Sequence, residues 1–295
     1  MDYSFPRYLL AKQTVDDRAL NQQVLAALRA NLPPRPLRII EVGAGMGNML
    51  ARLLSWNVID CAEYVHVDAM PENIEFAMQW IPGWAEGAGW YVEHTGTNEL
   101  RLYDTSRDVR LKLEQADVIE YIEREPQPAD VLIAHAFLDL LPMPESMPKL
   151  ITLTKDLAWL TINFDGMTTL EPCIDPVLDA KIERLYHETM DQRAAGGDSR
   201  SGRHLFRHLH DAGARVLAAG PSDWVVFAQD RRYPAEEAYF LQFILHFFEE
   251  SLLGHPDLEP AALVGWLMER RAQVERGELI YIAHQLDFLA KVGPG

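Results

Sequence analysis

A run of β-formers, three alternating glycines and an apolar helical pattern follow one another without a break in residues 37–54, LRIIEVGAGMGNMLARLL, and this order commits the chain to an α/β fold. Leu37, Ile39, Ile40 and Val42 read as a strand buried on both faces, as a parallel sheet requires. Met49, Leu50, Leu53 and Leu54 recur on one face of a helix. A strand, a tight turn and a helix make half of a βαβ unit. Gly43, Gly45 and Gly47 remove Cβ atoms from the turn, so a ligand can lie against bare backbone at the positive end of the helix.

The spacing separates two ligand classes. A dinucleotide fingerprint, G-x-G-x-x-G, needs its last glycine where this chain has Asn48, which disfavours NAD. With Glu41 in front, the stretch reads E-x-G-x-G-x-G and resembles the first motif of the class I S-adenosyl-L-methionine (SAM) dependent methyltransferases. That resemblance spans residues 37–230. It implies a doubly wound, mostly parallel seven-stranded sheet with an antiparallel last strand, and SAM as cofactor. It also implies that Glu41 helps place the methionine amino group while the backbone of Gly43, Ala44, Gly45 and Gly47 passes along the cofactor. On the motif alone, a ligand-free glycine turn in another α/β protein is the competing reading.

Two acids follow in order. EYVHVD, residues 63–68, reads as the second strand, and Asp68 ends it about twenty residues past the loop, where a ribose held over the glycine turn would sit. Asp68 also suits a cap on the helix that Pro71 begins, and both roles can hold at once. Ala69 and Met70 belong to the same junction. Asp117 and Val118 follow the third core strand; by the resemblance the acid accepts the adenine amino group and the valine lies against the ring, although a routine helix N-cap fits Asp117 too.

ADVLIAHAFLDLLP, residues 129–142, reads as a buried strand through Ala134 that ends at His135 and turns through Phe137, Asp139 and Pro142. Ligands of open α/β sheets bind at the carboxyl ends of strands. His135 is therefore the candidate general base or acceptor-orienting residue, Asp139 the next candidate, and Ala134 a cofactor neighbour; a histidine hydrogen-bonded in the core is the plainer alternative. No metal-ligand spacing stands out.

Upstream, residues 8–29 read as a helical flap. Lys12, Asp16, Asp17 and Arg18 cluster within it, either as a solvated face or with Arg18 or Lys12 reaching the cofactor carboxylate. Residues 84–108 read as a β-hairpin elaboration that leads into the third strand, where Val109, Leu111 and Leu113 alternate with Arg110 and Lys112. Residues 165–202 form an insertion far longer than a usual strand-to-helix link, expected to cover the site as a helical lid. Pro221, Ser222 and Asp223 separate two strand-like runs so closely that an antiparallel terminal hairpin is expected. The expected organisation is a methyltransferase domain over residues 1–232 and a helical extension over 233–295 that packs on the core. The extension's aromatic residues could also form a homodimer.

A formal charge of -17 repels phosphate backbones and anionic lipid, so neither nucleic acid nor a membrane is expected as a partner. Two cysteines make no disulfide framework, and the N-terminal residues resemble no secretory signal, which points to the cytoplasm. The expected activity is methyl transfer from SAM to the O or N atom of a small molecule. A SAM-binding regulatory protein without catalysis is the alternative, and a nucleotide-dependent oxidoreductase the third reading.

Overall fold

A computed structural model of the chain describes residues 3–124, 127–193 and 196–293. Its strands are β1 (Leu37–Val42), β2 (Cys61–Asp68), β3 (Tyr91–Gly96), β4 (Glu99–Tyr103), β5 (Asp108–Gln115), β6 (Ala129–His135), β7 (Thr154–Glu171), β8 (Arg215–Pro221), β9 (Trp224–Val226) and β10 (Ile280–Lys291). The helices are α1 (Phe5–Ala11), α2 (Gln13–Ala19), α3 (Gln22–Asn31), α4 (Asn48–Ser55), α5 (Pro71–Gly87), α6 (Val118–Arg124), α7 (Met143–Ile151), α8 (Pro176–Asp191), α9 (Ser201–Asp211), α10 (Glu237–Leu252) and α11 (Pro260–Glu275).

All ten strands join one sheet, in the order β3-β4-β5-β2-β1-β6-β7-β10-β8, with β9 beside β10. The five strands β5, β2, β1, β6 and β7 are parallel to one another. From β1 the chain steps outward through β2 and then crosses to β6 on the other side, so the order reverses at β1. Such a reversal leaves a crevice at the carboxyl ends of the strands. Side chains alternate across the sheet: Leu37 and Ile39 join one apolar cluster, Ile40 and Val42 the other. Each fully buried Leu or Ile contributes about 1.5–3 kcal/mol, and these positions are at most 1% exposed.

The expected architecture holds with ten strands rather than seven, and the antiparallel strand comes from an unexpected place. Strand β10 lies between β7 and β8, antiparallel to both. Residues 280–291, expected as helix, are this strand, so the region after 232 is not an appendage. It is a pair of helices inserted ahead of a strand that completes the sheet. The expected hairpin of β8 with β9 does not form. Both pair with β10, at Leu286–Lys291 and Tyr281–Ala283 respectively. They therefore run in one direction, end to end along the same partner, which a short link permits.

The other departure is the lid. Helix α8 packs against α10 and β7. Its Asp179 accepts hydrogen bonds from the Trp266 indole and the buried Arg270. The helix is thus held by the C-terminal helices, and none of its residues lines the cavity in the crevice. In the link that follows it, Ala194 and Ala195 lie outside the described residues. Gly196 lies against Pro142, where a Cβ would sit 2.5 Å from the proline nitrogen. The aromatic residues of α10 that suggested a dimer are used inside the chain: Phe240 and Phe248 are fully buried, and Phe240 stacks on Tyr8 of α1. Among the described residues no helix is long and apolar enough to cross a membrane.

Candidate functional site

The crevice at the carboxyl ends of β1, β2, β5 and β6 holds a cavity of about 510 Å3. Its floor is the glycine turn, with Gly43, Ala44 and Gly45. One side carries Asp68, Ala69 and Met70, another Asp117 and Val118, a third His135 to Phe137. Phe5, Leu9 and Lys12 come from the N-terminal helices, and Leu140, Leu141 and Pro142 complete an apolar mouth.

The turn is rigid for identifiable reasons. Gly43 has φ +62° and its absent Cβ would lie 2.3 Å from the Phe137 ring, so only glycine lets β1 and the turn after β6 meet. Gly47, at φ +89°, is the N-cap of α4, and a Cβ there would press on Ile81. The peptide at Gly45 is held on both sides. Its N–H donates to Asp68 Oδ2 at 2.8 Å, and its carbonyl accepts from His66 Nε2 at 3.0 Å. Burial pushes His66 down to about 4, so that ring stays neutral.

Asp68 does more than cap. Oδ1 accepts from the Met70 N–H at 2.9 Å and the Asn73 amide at 3.0 Å while Oδ2 holds the glycine turn. A carboxylate offers about four acceptor positions, so one remains for a ligand. Glu41 is 1% exposed and accepts from the Tyr64 hydroxyl at 2.6 Å. Burial pushes its carboxyl up to about 8, against the opposing effects of the Tyr64 bond and the Arg52 charge. Asp117 caps α6 through Oδ1, which accepts from the Ile119 N–H at 2.8 Å, while Oδ2 makes no hydrogen bond within the described residues.

His135 borders the cavity with both ring nitrogens engaged. Nδ1 lies 2.8 Å from the Thr161 hydroxyl and Nε2 3.0 Å from Asp16 Oδ2. Asp16 is 1% exposed, lies 3.4 Å from Lys12 Nζ, and also accepts from the Trp224 indole at 2.9 Å. Burial works against the Asp16 anion, but Lys12 and His135 outweigh it and hold the carboxyl well below its usual range. Burial drives His135 the other way, down to about 4, despite Asp16. The pair is therefore neutral imidazole and carboxylate: Nε2–H donates to Asp16 and Nδ1 accepts from Thr161. Both nitrogens are thus engaged within the protein, and Nδ1 meets an acceptor's proton only where the Thr161 hydroxyl gives way. The next residue of β7, Ile162, has φ +58°, a value that a β-branched residue seldom adopts, and its N–H donates to Asp287 Oδ1 at 2.7 Å. The distortion lies beside the group that orients His135.

Ten of the residues expected from sequence border this one cavity: Glu41, Gly43, Ala44, Gly45, Asp68, Ala69, Met70, Asp117, Val118 and His135. Four do not. Gly47 acts behind the turn, and Ala134 is buried in β6. Arg18 forms an ion pair with the buried Glu237 of α10. Asp139 sits in the 3-10 turn Leu138–Leu140, its carboxyl raised by burial against the influence of Arg193. Lys12 and Asp16 are the site residues that sequence left unresolved. Their signal was a charged i, i+4 pair inside an apolar stripe. Asn48, read only as an argument against NAD, lines the cavity; its amide nitrogen donates to the Leu9 carbonyl at 2.8 Å, and its buried Oδ1 has no partner among the described residues.

No family model matches the sequence, and no curated protein matches it. Among solved structures, a candidate methyltransferase of Bacillus halodurans C-125 overlays with a TM-score of 0.51 at 11% identity, covering 92% of this chain and 99% of that one. A SAM-dependent methyltransferase from Thiobacillus denitrificans in complex with S-adenosyl-L-homocysteine overlays at 0.45, with 15% identity over 98% and 99% of the two chains. A cyclopropane synthase from Mycobacterium tuberculosis overlays at 0.46, with 10% identity over 92% and 83%. The first overlay, together with the strand order, shows the class I methyltransferase fold. The other two overlap too loosely to add to it, and identities this low carry fold alone.

Proposed function

We propose that the cavity binds SAM and that the protein transfers its methyl group to an oxygen or nitrogen of a small molecule. The observation that carries this reading is three acids around one cavity: Glu41 near the end of β1, Asp68 at the end of β2 and Asp117 just after β5. Acceptors in those places suit a ligand with an ammonium, a ribose diol and an adenine amino group. They oppose a pyrophosphate, and Lys12, the cation that lines the cavity, is engaged by Asp16. The fit to SAM rests on this chain's own groups: the spare acceptor position of Asp68, the unbonded Oδ2 of Asp117, and the glycine turn that brings backbone to the cavity floor.

SAM, when bound, supplies a methyl group on a sulfonium, activated for direct displacement. The protein's contribution is positioning, which can lower such a barrier by several kcal/mol. The apolar mouth of Phe5, Leu9, Phe137, Leu140 and Leu141 suits the body of an acceptor and excludes water. With both nitrogens of His135 engaged, the reading favours acceptors that shed their proton readily, such as amines or acidic hydroxyls. His135 then serves to hold Asp16, and through it the N-terminal helices, against the cavity.

The same occupied histidine supports a second reading, a SAM-binding protein without turnover. Methyl-labelled SAM incubated with a panel of phenols, carboxylic acids and amines separates the two. Label transferred above the protein-free rate supports the enzyme, binding without transfer across the panel supports the second reading, and no SAM binding overturns both.

A further inference from the structure

Helix α9 carries three histidines within SGRHLFRHLHD, and two of them, His204 and His208, are four residues apart and share one face. Asp198 reaches the same place from the turn ahead of the helix. One ligand atom from each of Asp198, His204 and His208 lies within 4.8 Å of the other two. We propose that these three residues form a binding site for a divalent transition-metal ion of the zinc class, with the remaining coordination position open to water. The site is separate from the SAM cavity and does not depend on that reading.

The donor chemistry is that of such an ion. Two imidazoles four apart on a helix and one carboxylate make a three-ligand set that suits zinc and its neighbours better than magnesium or calcium, which prefer oxygen. At metal–ligand distances of about 2.0–2.2 Å, donors on one ion stand roughly 3.3–3.5 Å apart. Small rotations of surface side chains therefore close the trio.

The carboxylate is held in place independently of any ion. Asp198 Oδ1 accepts from the Arg200 N–H at 2.8 Å, leaving Oδ2 on His204 Nδ1 at 2.6 Å. The turn is fixed from behind by Ser199, whose N–H and hydroxyl donate to Asp191 at 2.7 and 3.1 Å. Helix α9 is anchored separately, by the Arg203 guanidinium on Asp165 at 2.8 and 2.9 Å. The two halves of the site thus arrive preorganised, one on the turn and one on the helix. The Asp198 N–H lies 3.4 Å from the Asp139 carbonyl, so a bound ion fastens the turn beside the wall that ends at Leu140–Pro142.

The test uses the full chain, treated with chelator and dialysed. It is titrated with Co2+ under visible absorption and with Zn2+ in a calorimeter. The expected result is one ion per chain with a micromolar or tighter dissociation constant. His204→Gln, His208→Gln and Asp198→Asn each weaken it by roughly a hundredfold or more, because even groups behind metal ligands are worth 10–100-fold. Asparagine retains the acceptor for the Arg200 N–H, and circular dichroism verifies that each variant is folded. His210→Gln, on the same helix but outside the trio, leaves uptake unchanged. Absence of binding tighter than about 1 mM overturns the proposal. So does uptake that survives in His208→Gln and Asp198→Asn, or that falls equally in His210→Gln.

Discussion

Binding of SAM at pH 7 should release about 0.9 proton, and Glu41 should be its source. Glu41 is 1% exposed, and burial raises its carboxyl to about 8, so at pH 7 roughly nine-tenths of the unliganded protein carries the proton. An ammonium at ion-pair distance, about 4 Å, in surroundings of effective dielectric about 20, favours the carboxylate by about 4 kcal/mol, or about 3 pKa units. That brings the group to roughly 5, where about one-hundredth remains protonated at pH 7. Calorimetry in buffers of different ionisation enthalpy reads this directly: observed enthalpy plotted against buffer enthalpy has a slope of about -0.9 at pH 7. Glu41→Gln removes the slope and weakens binding by about 1.5–3 kcal/mol, the range for a hydrogen bond to a charged group. A flat wild-type plot at pH 7, or a slope retained in the glutamine variant, refutes the assignment of Glu41 to the ligand's amino group.

Three further outcomes follow from particular contacts. Asp68→Ala removes the acceptor that holds the Gly45 N–H and the one position left for a ribose hydroxyl, and should weaken SAM by at least about 1.5–3 kcal/mol in a calorimetric titration; affinity unchanged within about threefold would leave Asp68 only a cap. His135→Ala strips a hydrogen-bond donor from the buried Asp16 carboxylate and should cost about 1.5–3 kcal/mol in denaturant unfolding at pH 7. Relative to the variant, the wild type should also lose about 3 kcal/mol as pH falls from about 6.5 to about 4, because the unfolded His135 ring takes a proton that the folded ring, at about 4, refuses. The variant should lack that loss, and identical unfolding of both proteins at both pH values would dispose of the network. A chain ending at Leu279 loses the strand between β7 and β8 and should not fold, so a native circular dichroism spectrum from it would contradict the sheet assignment.

What was legible in the sequence was local. The glycine turn, the acids that end or follow β1, β2 and β5, and the apolar runs of the parallel strands are contiguous patterns, and each signals its own geometry. Strand β10 escaped because its alternation is broken: the register shifts between Ala283 and Gln285 and again between Leu286 and Phe288. The helix α11, ending just upstream, made a helical continuation the natural reading. Lys12 and Asp16 escaped for another reason. Their partner His135 is 119 residues from Asp16, and nothing within seven helical residues says that a charge faces inward to meet it. Arg18, on the same short helix, was drawn as a cofactor contact, yet it serves Glu237, which is buried and far along the chain. The long insertion resembled a lid by length alone, while the residues that hold it, Trp266 and Arg270, lie on a helix encountered only later.

The most direct measurement is the thermal stability of the full chain with SAM and with S-adenosyl-L-homocysteine, each at a hundredfold excess over its dissociation constant, and with NAD at the same concentration as SAM. A ligand at that excess adds about 2.7 kcal/mol. At roughly 2–4 °C per kcal/mol for a chain of this size, the melting temperature rises by several degrees. The expected result is that rise with SAM and with S-adenosyl-L-homocysteine, and none with NAD. A rise with NAD alone would contradict the assignment of the cavity to SAM.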